Sequence, residues 1–314
     1  MNVTVRILML LLLLAPLTEA RAGAGNRTGT NGASELLIPV GTRDIAMGGT
    51  GVAGSFGVEA LFWNPAGAAR TNTSVGFYVS HMNYIADIGV DYGAVSANFE
   101  GLGVFSLSLK SLSIGDIPVT TTQHPDGTGQ TFRPQFFTVG LSYSRQLNER
   151  IAVGVTGSLI SERMGDVSAS GVGFTAGVQY NNLGGLNGLD FGVAVKNIGT
   201  QMKFDGSGLL TQAAVSGQNR PPQLYAIQAA SFELPSSIEF GLAYRARLGD
   251  LNSLILSSAF QSHNFTDDEY RLGAEYAYED LFFLRGGWAL AQKESRDRQF
   301  IFGPSFGAGV HSAL

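Results

Sequence analysis

The sequence predicts an all-β chain, a transmembrane antiparallel β-barrel behind a glycine-rich plug. Three observations carry this. From Ser74 onward apolar residues recur with a period of two, as in Phe137, Val139, Leu141 and Tyr143 against Thr138, Gly140, Ser142 and Ser144. Short and long connections alternate along most of the chain, the pattern of a barrel with tight turns at one rim and loops at the other. The composition has 42 Gly, 20 Phe and 10 Tyr but only 14% charged residues in 314, which suits a β-protein whose outside is not all water.

The chain opens on a targeting pattern. Arg6 supplies a positive start, Ile7–Leu14 an apolar run, and Thr18-Glu19-Ala20 through Ala22-Gly23-Ala24 offer small-residue cleavage sites. The run is shorter than the roughly 20 residues of a membrane-spanning helix. Residues 1–22 therefore read as a cleaved signal peptide that exports the protein toward the bacterial outer membrane. Residues 23–40 read as a loose mature terminus unable to form a core, ending in a short strand over 35–40.

Residues 41–72 read as the plug. Gly48, Gly49, Gly51, Gly54 and Gly57 leave little side-chain volume, so the segment can lie against other backbone. Asn64 before Pro65 favours an extended or turn backbone. Pro65 then suits the start of a short helix through Ala66, Gly67, Ala68 and Ala69, which Asn64 would cap. Gly49-Thr50-Gly51-Val52-Ala53-Gly54 matches the dinucleotide pattern G-x-G-x-x-G. That pattern requires a buried strand before it and an acid about 20 residues on. Neither is present, so no cofactor is expected.

Strands are expected near 74–84, 90–99, 103–114, 135–147, 151–161, 171–181, 188–197, 236–248, 252–262, 269–278, 281–291 and 299–309, the barrel filling 73–314. Tight turns fall at 100–102, 148–150, 248–251 and 279–280, and 182–187 is slightly longer. Longer polar loops fall at 115–134, 162–170, 198–235, 263–268 and 292–298. Tyr143, Tyr244, Tyr276, Tyr278 and Phe282 lie near strand ends, as in an aromatic girdle. Lys196, Glu239, Arg245, Arg271, Glu275 and Arg285 share the small or polar face, whereas Arg145 has the parity of the apolar face. A charge facing lipid at the midplane costs about 2–4 kcal/mol, so the six are expected to point inward and to pair there.

Gly41-Thr42-Arg43, Met47-Gly48-Gly49 and Glu59-Ala60-Leu61-Phe62-Trp63-Asn64-Pro65-Ala66-Gly67 resemble the N-terminal signature of the PorV/PorQ family and, more distantly, of FadL-type fatty-acid transporters. Gly115-Asp116-Ile117-Pro118-Val119-Thr120 with Pro125-Asp126-Gly127-Thr128-Gly129 is similar to that family's first long outer loop. Val195-Lys196-Asn197-Ile198-Gly199 with Met202-Lys203-Phe204-Asp205-Gly206 is similar to its mid-barrel strand and loop. The resemblance spans about 35–314, in order and context. It implies a FadL-like barrel of fourteen strands with an N-terminal hatch, of which twelve are present here and the last hairpin is missing, by truncation or because the barrel is a true twelve-stranded one. It also implies a role in type IX protein secretion or surface attachment, with secretion components or secreted proteins as partners.

The remaining residues exclude much. The absence of Cys removes disulfides, thiolate nucleophiles and a lipoprotein anchor. A net charge of −5 gives no footprint for nucleic acid. His81, His124, His263 and His311 lack metal-ligand spacing, and Asp126-Gly127 reads as a turn. No serine sits in a nucleophile elbow. The expectation is thus a non-enzymatic protein embedded in outer-membrane lipid, with no cofactor. Its functional elements are the hatch (Gly48, Gly49, Asn64, Pro65, Ala66, Gly67) and the outer-loop motif (Asp116, Pro118, Asp126, Gly127, Gly129). The alternatives are FadL-like uptake of a long-chain hydrophobic molecule and a secreted soluble β-protein.

Overall fold

A computed structural model describes residues 31–214, 221–291 and 303–312. The signal-peptide residues, the loop expected at 292–298 and the start of the strand expected at 299–309 lie outside the described residues. Twelve strands form one antiparallel sheet: β1 (Val75–Asn83), β2 (Gly89–Phe99), β3 (Gly103–Ser113), β4 (Gln135–Gln146), β5 (Ile151–Met164), β6 (Val167–Tyr180), β7 (Leu189–Gly199), β8 (Ser237–Arg247), β9 (Asn252–His263), β10 (Glu269–Tyr278), β11 (Phe282–Ala291) and β12 (Pro304–Val310). Each strand pairs with its neighbours in sequence order. Among the described residues β1 and β12 do not pair with each other.

The sheet is inverted relative to a water-soluble protein. Its concave face buries Ser96, Ser106, Ser142, Thr156, Gln179, Ser257, Gln261 and Glu275, while Phe77, Val79, Leu141, Leu159, Phe174, Leu284 and Phe306 are exposed on the other. Strict alternation makes this possible, since neighbouring residues face opposite sides. Among the described residues no second sheet covers the apolar face. Phe99, Phe105 and Tyr143 cluster near the short-turn rim, with Tyr276, Tyr278 and Phe282 exposed near that same rim.

The interior is filled by residues 41–70. Helix α1 (Thr42–Ala46), helix α2 (Gly51–Gly54) and 3-10 turns at Gly57–Leu61 and Pro65–Ala69 follow one another along the wall. Together they contact all twelve strands, from β1 beside the Gly57–Leu61 turn to β12 beside α1.

Three expectations change. Residues 35–40 are not a strand: Ser34–Leu37 is a 3-10 turn, and the arm 31–40 is not loose. Ala33 and Leu36 join an apolar cluster with Ile160, Ala169, Met202 and Leu234, so part of this terminus is core. Residues 162–170 do not form a long loop. β5 runs on to Met164 and β6 starts at Val167, because Gly165 takes a left-handed backbone (φ 57°) that permits a two-residue turn. Two other long connections carry short ribbons, among them Ile117–Pro118 with Thr131–Phe132 and Leu210–Ala213 with Gln223–Ala226.

Candidate functional site

Asn64 is the hub between the plug and the wall. Its Oδ1 accepts from the Ala66 amide at 3.1 Å, capping the Pro65–Ala69 turn, with Pro65 in the first turn. Its Nδ2 donates to the carbonyls of Val52 (2.9 Å), Val178 (3.1 Å) and Val193 (3.3 Å). One fully buried amide thus ties α2, β6 and β7 together. Beside it, Gln179 donates to Val52 and Ser55 carbonyls, Ser144 donates to the Pro65 carbonyl at 2.6 Å, and Arg70 reaches Gln179 and Asp190.

The plug seats on wall glycines. A β-carbon at Gly154 would fall less than 3.0 Å from Pro65 and Ala66, at Gly177 from Asn64, at Gly192 from Val52, at Gly273 from Met47, and at Gly287 from Gly48. Four of these are cross-strand pairs, Gly154 opposite Gly177 and Gly273 opposite Gly287. Glycine is needed there because the plug occupies the side-chain position, with its backbone at Gly154, Gly192, Gly273 and Gly287 and with the Asn64 side chain at Gly177. Gly48 is one such close approach from the plug side, lying against the β10 and β11 backbone with a left-handed φ of 70°. Gly49 is left-handed at 81° and its carbonyl accepts from Arg271.

Charges close the other side. Arg43 of α1 grips Glu275 of β10 with two bonds of 3.0 and 3.1 Å, and Arg285 of β11 reaches the same carboxylate at 2.6 Å. Asp44 accepts from Ser55 Oγ at 2.5 Å and lies 3.6 Å from Arg43. Burial pushes the Asp44 carboxyl above its ordinary value against the pull of Arg43. Burial, then the neighbouring Asp44 charge, pushes Glu59 up to about 7. Lys196 pairs with Glu239 at 2.9 Å and Arg271 with Glu269 at 2.6 Å. The strand charges expected to pair inward do so at Lys196, Glu239, Arg271, Glu275 and Arg285. Arg145 is exposed at the short-turn end of β4.

Beyond the plug, toward the long loops, lies a cavity of about 460 Å³. Apolar Leu36, Ile38, Phe62 and Trp63 line it together with polar Lys110, Thr138, Ser158, Lys196 and His263. Phe62 lies between two ammonium groups, 5.0 Å from Lys110 and 5.2 Å from Lys196.

The hatch residues named from sequence dock at two places: Asn64, Pro65, Ala66 and Gly67 at the β4–β7 wall, Gly48 and Gly49 at the β10–β11 wall. The outer-loop residues do not join them. Asp116 forms a two-bond pair with exposed Arg133. Pro118 sits in its ribbon, and His124-Pro125-Asp126-Gly127 is a turn closed by Gly127 N–H to His124 O at 3.1 Å. Gly127 and Gly129 are left-handed at 117° and 82°. Among the described residues no group of three or more His, Asp or Glu could hold a metal. The G-x-G-x-x-G stretch runs into the four-residue helix α2 and follows α1, not a strand. Sequence reasoning missed Glu35, Lys110 and the wall glycines; among these, the only signal was a lone lysine on the inward parity of β3.

A single up-and-down sheet, apolar outside and wrapped on an N-terminal plug, defines a class of plugged, channel-like β-proteins. Its fold is similar to that of a structure described as the CymD monoaromatic hydrocarbon channel, with a TM-score of 0.54 and 14% identity over 82% of this chain and 86% of that one. It is also similar to the Pseudomonas putida toluene transporter TodX, with a TM-score of 0.51 and 13% identity over 87% and 89%. The family model described as type IX secretion system protein PorV matches residues 21–216, and the chain belongs to that family. No curated protein matches it.

Proposed function

We propose that the protein is an outer-membrane β-barrel, exported by its signal peptide, that supports type IX protein secretion or surface attachment without catalysing a reaction. The observation that carries the membrane placement is the inverted sheet. Phe77 is 78% and Phe306 83% exposed while Lys110, Glu239 and Glu275 are buried, an arrangement that lipid favours and water does not. Family membership carries the secretion role. The plug, docked on every strand, keeps the interior shut at rest, and Asn64, Pro65, Ala66 and Gly67 with Gly48 and Gly49 hold it. The partners are outer-membrane lipid and secretion components or secreted proteins; the residues supply no nucleic-acid surface. Expressed from its own genome, deletion of the protein should leave type IX cargo trapped inside the cell, and restoring the wild-type chain should return it to the surface. Normal cargo export in the deletion strain would overturn the reading.

A second reading, passage of a hydrophobic molecule, is favoured by the cavity with apolar Leu36, Ile38, Phe62 and Trp63 in its lining. It predicts slower uptake of such molecules with cargo export intact.

A further inference from the structure

The arm 31–40 forms part of the cavity wall on the long-loop side. Leu36, Leu37 and Ile38 line it. Ala33 and Leu36 pack against Ile160 of β5 and against Ala169, the residue directly opposite Glu162 in the β5–β6 hairpin, which brings the buried Glu35 and Glu162 carboxyl groups together. Lys110 on β3 donates to the carbonyls of Glu35 (2.7 Å) and Ile38, so it holds backbone and leaves the acids to each other. Glu35, Glu162 and Lys110 are 6%, 5% and 5% exposed.

Two buried carboxyl groups in contact cannot both ionise at low cost. With a proton between them, Glu35 donates and Glu162 accepts; without it, they repel. We propose that the arm is a proton-dependent latch over the cavity, closed by a carboxylic acid–carboxylate bond between Glu35 and Glu162. The charged groups that face Glu35 are Glu162 and Lys110, and Lys196 bears on Lys110 in turn. Lys110 is already spent on two carbonyls. Burial, then Glu162, pushes Glu35 up to about 8 in the docked arm. The released side chain returns to its ordinary 4.5. The docked state therefore holds an extra proton across that window, and docking weakens as pH rises through it.

The chain has no cysteine, so one introduced thiol reports alone. Ser158 lines the cavity and Thr122 is exposed in a loop. The labelling rate of S158C by a charged maleimide, divided by that of T122C at each pH, cancels the thiol's own ionisation. The ratio should rise about tenfold per pH unit between pH 6 and 8, one proton leaving per opening. In E35Q, whose amide still donates to Glu162, it should stay low and flat. In E162Q, the midpoint should move to lower pH. A flat wild-type ratio, or the wild-type slope and midpoint retained in both variants, overturns the latch. In detergent micelles both faces see one pH; a slope there but none on intact cells would break the outer-membrane placement and leave the latch standing.

Discussion

Asn64→Asp is nearly isosteric and keeps Oδ1 as the cap of the Pro65–Ala69 turn. It turns the donor Nδ2 into an oxygen facing the carbonyls of Val52, Val178 and Val193, all within 3.3 Å of that nitrogen. Two N–H hydrogens serve those three acceptors. Their loss costs about 1 kcal/mol each, and an uncompensated buried charge raises the total to about 3–5 kcal/mol. Asn64→Ala loses the same donors and the cap but adds no charge, so about 2–3 kcal/mol is expected. Hydrogen exchange of the purified protein at neutral pH measures this directly. The amides of residues 64–69 should exchange about a hundredfold faster or more in N64D, since 1.4 kcal/mol is a factor of ten, and by a smaller factor in N64A. Outward strand amides far from the plug should change little. If protection in N64D stays within about threefold of wild type, or if N64A is the worse variant, the donor role assigned to Asn64 is wrong.

Other consequences are as specific. Gly177→Ala places a methyl against Asn64 Oδ1, so a loss of about 1–3 kcal/mol is expected; Gly93→Ala, with nothing within 4 Å, should leave the melting temperature nearly unchanged. Glu275→Ala removes the shared partner of Arg43 and Arg285, leaving Arg43 only the longer Asp44 contact, and should cost about 3–5 kcal/mol in a denaturant titration, with Arg285→Ala milder because Glu275 keeps its two bonds to Arg43. Glu59 docks protonated below about 7 and titrates at its ordinary 4.5 when free, so plug protection should fall as pH rises from 4.5 through 7 and level off above. Glu59→Gln should remove that fall and be the more protected form at pH 8.

The strands were legible because each carries its own signal. Alternation survives wherever one face meets apolar surroundings and the other does not, and the bounds of β1 through β11 follow it to within four residues. The β5–β6 hairpin reads short in the sequence because Ser161 and Arg163 interrupt the outward apolar run of Val153, Val155 and Leu159; Glu162 lies on the inward, polar parity and gives no sign that the strand continues. The Asn64 cap was legible because Asn-Pro imposes it locally. The wall glycines were not, since each strand supplies one and no period in the chain connects them. The arm was unreadable for a similar reason: its cluster partners Ile160, Ala169, Met202 and Leu234 are more than a hundred residues away, and local composition says nothing about such contacts.

Ser305 Oγ donates to the Ala46 carbonyl across 259 positions. This N-terminal stretch therefore finds its β12 partner only after the eleven strands between them have been made. Until then it must stay uncommitted, and every earlier strand can add only one more stave around it. Such distant pairings close slowly. The plug is thus also a mandrel, and a change that weakens it should appear first as delayed assembly, before any loss in the finished protein.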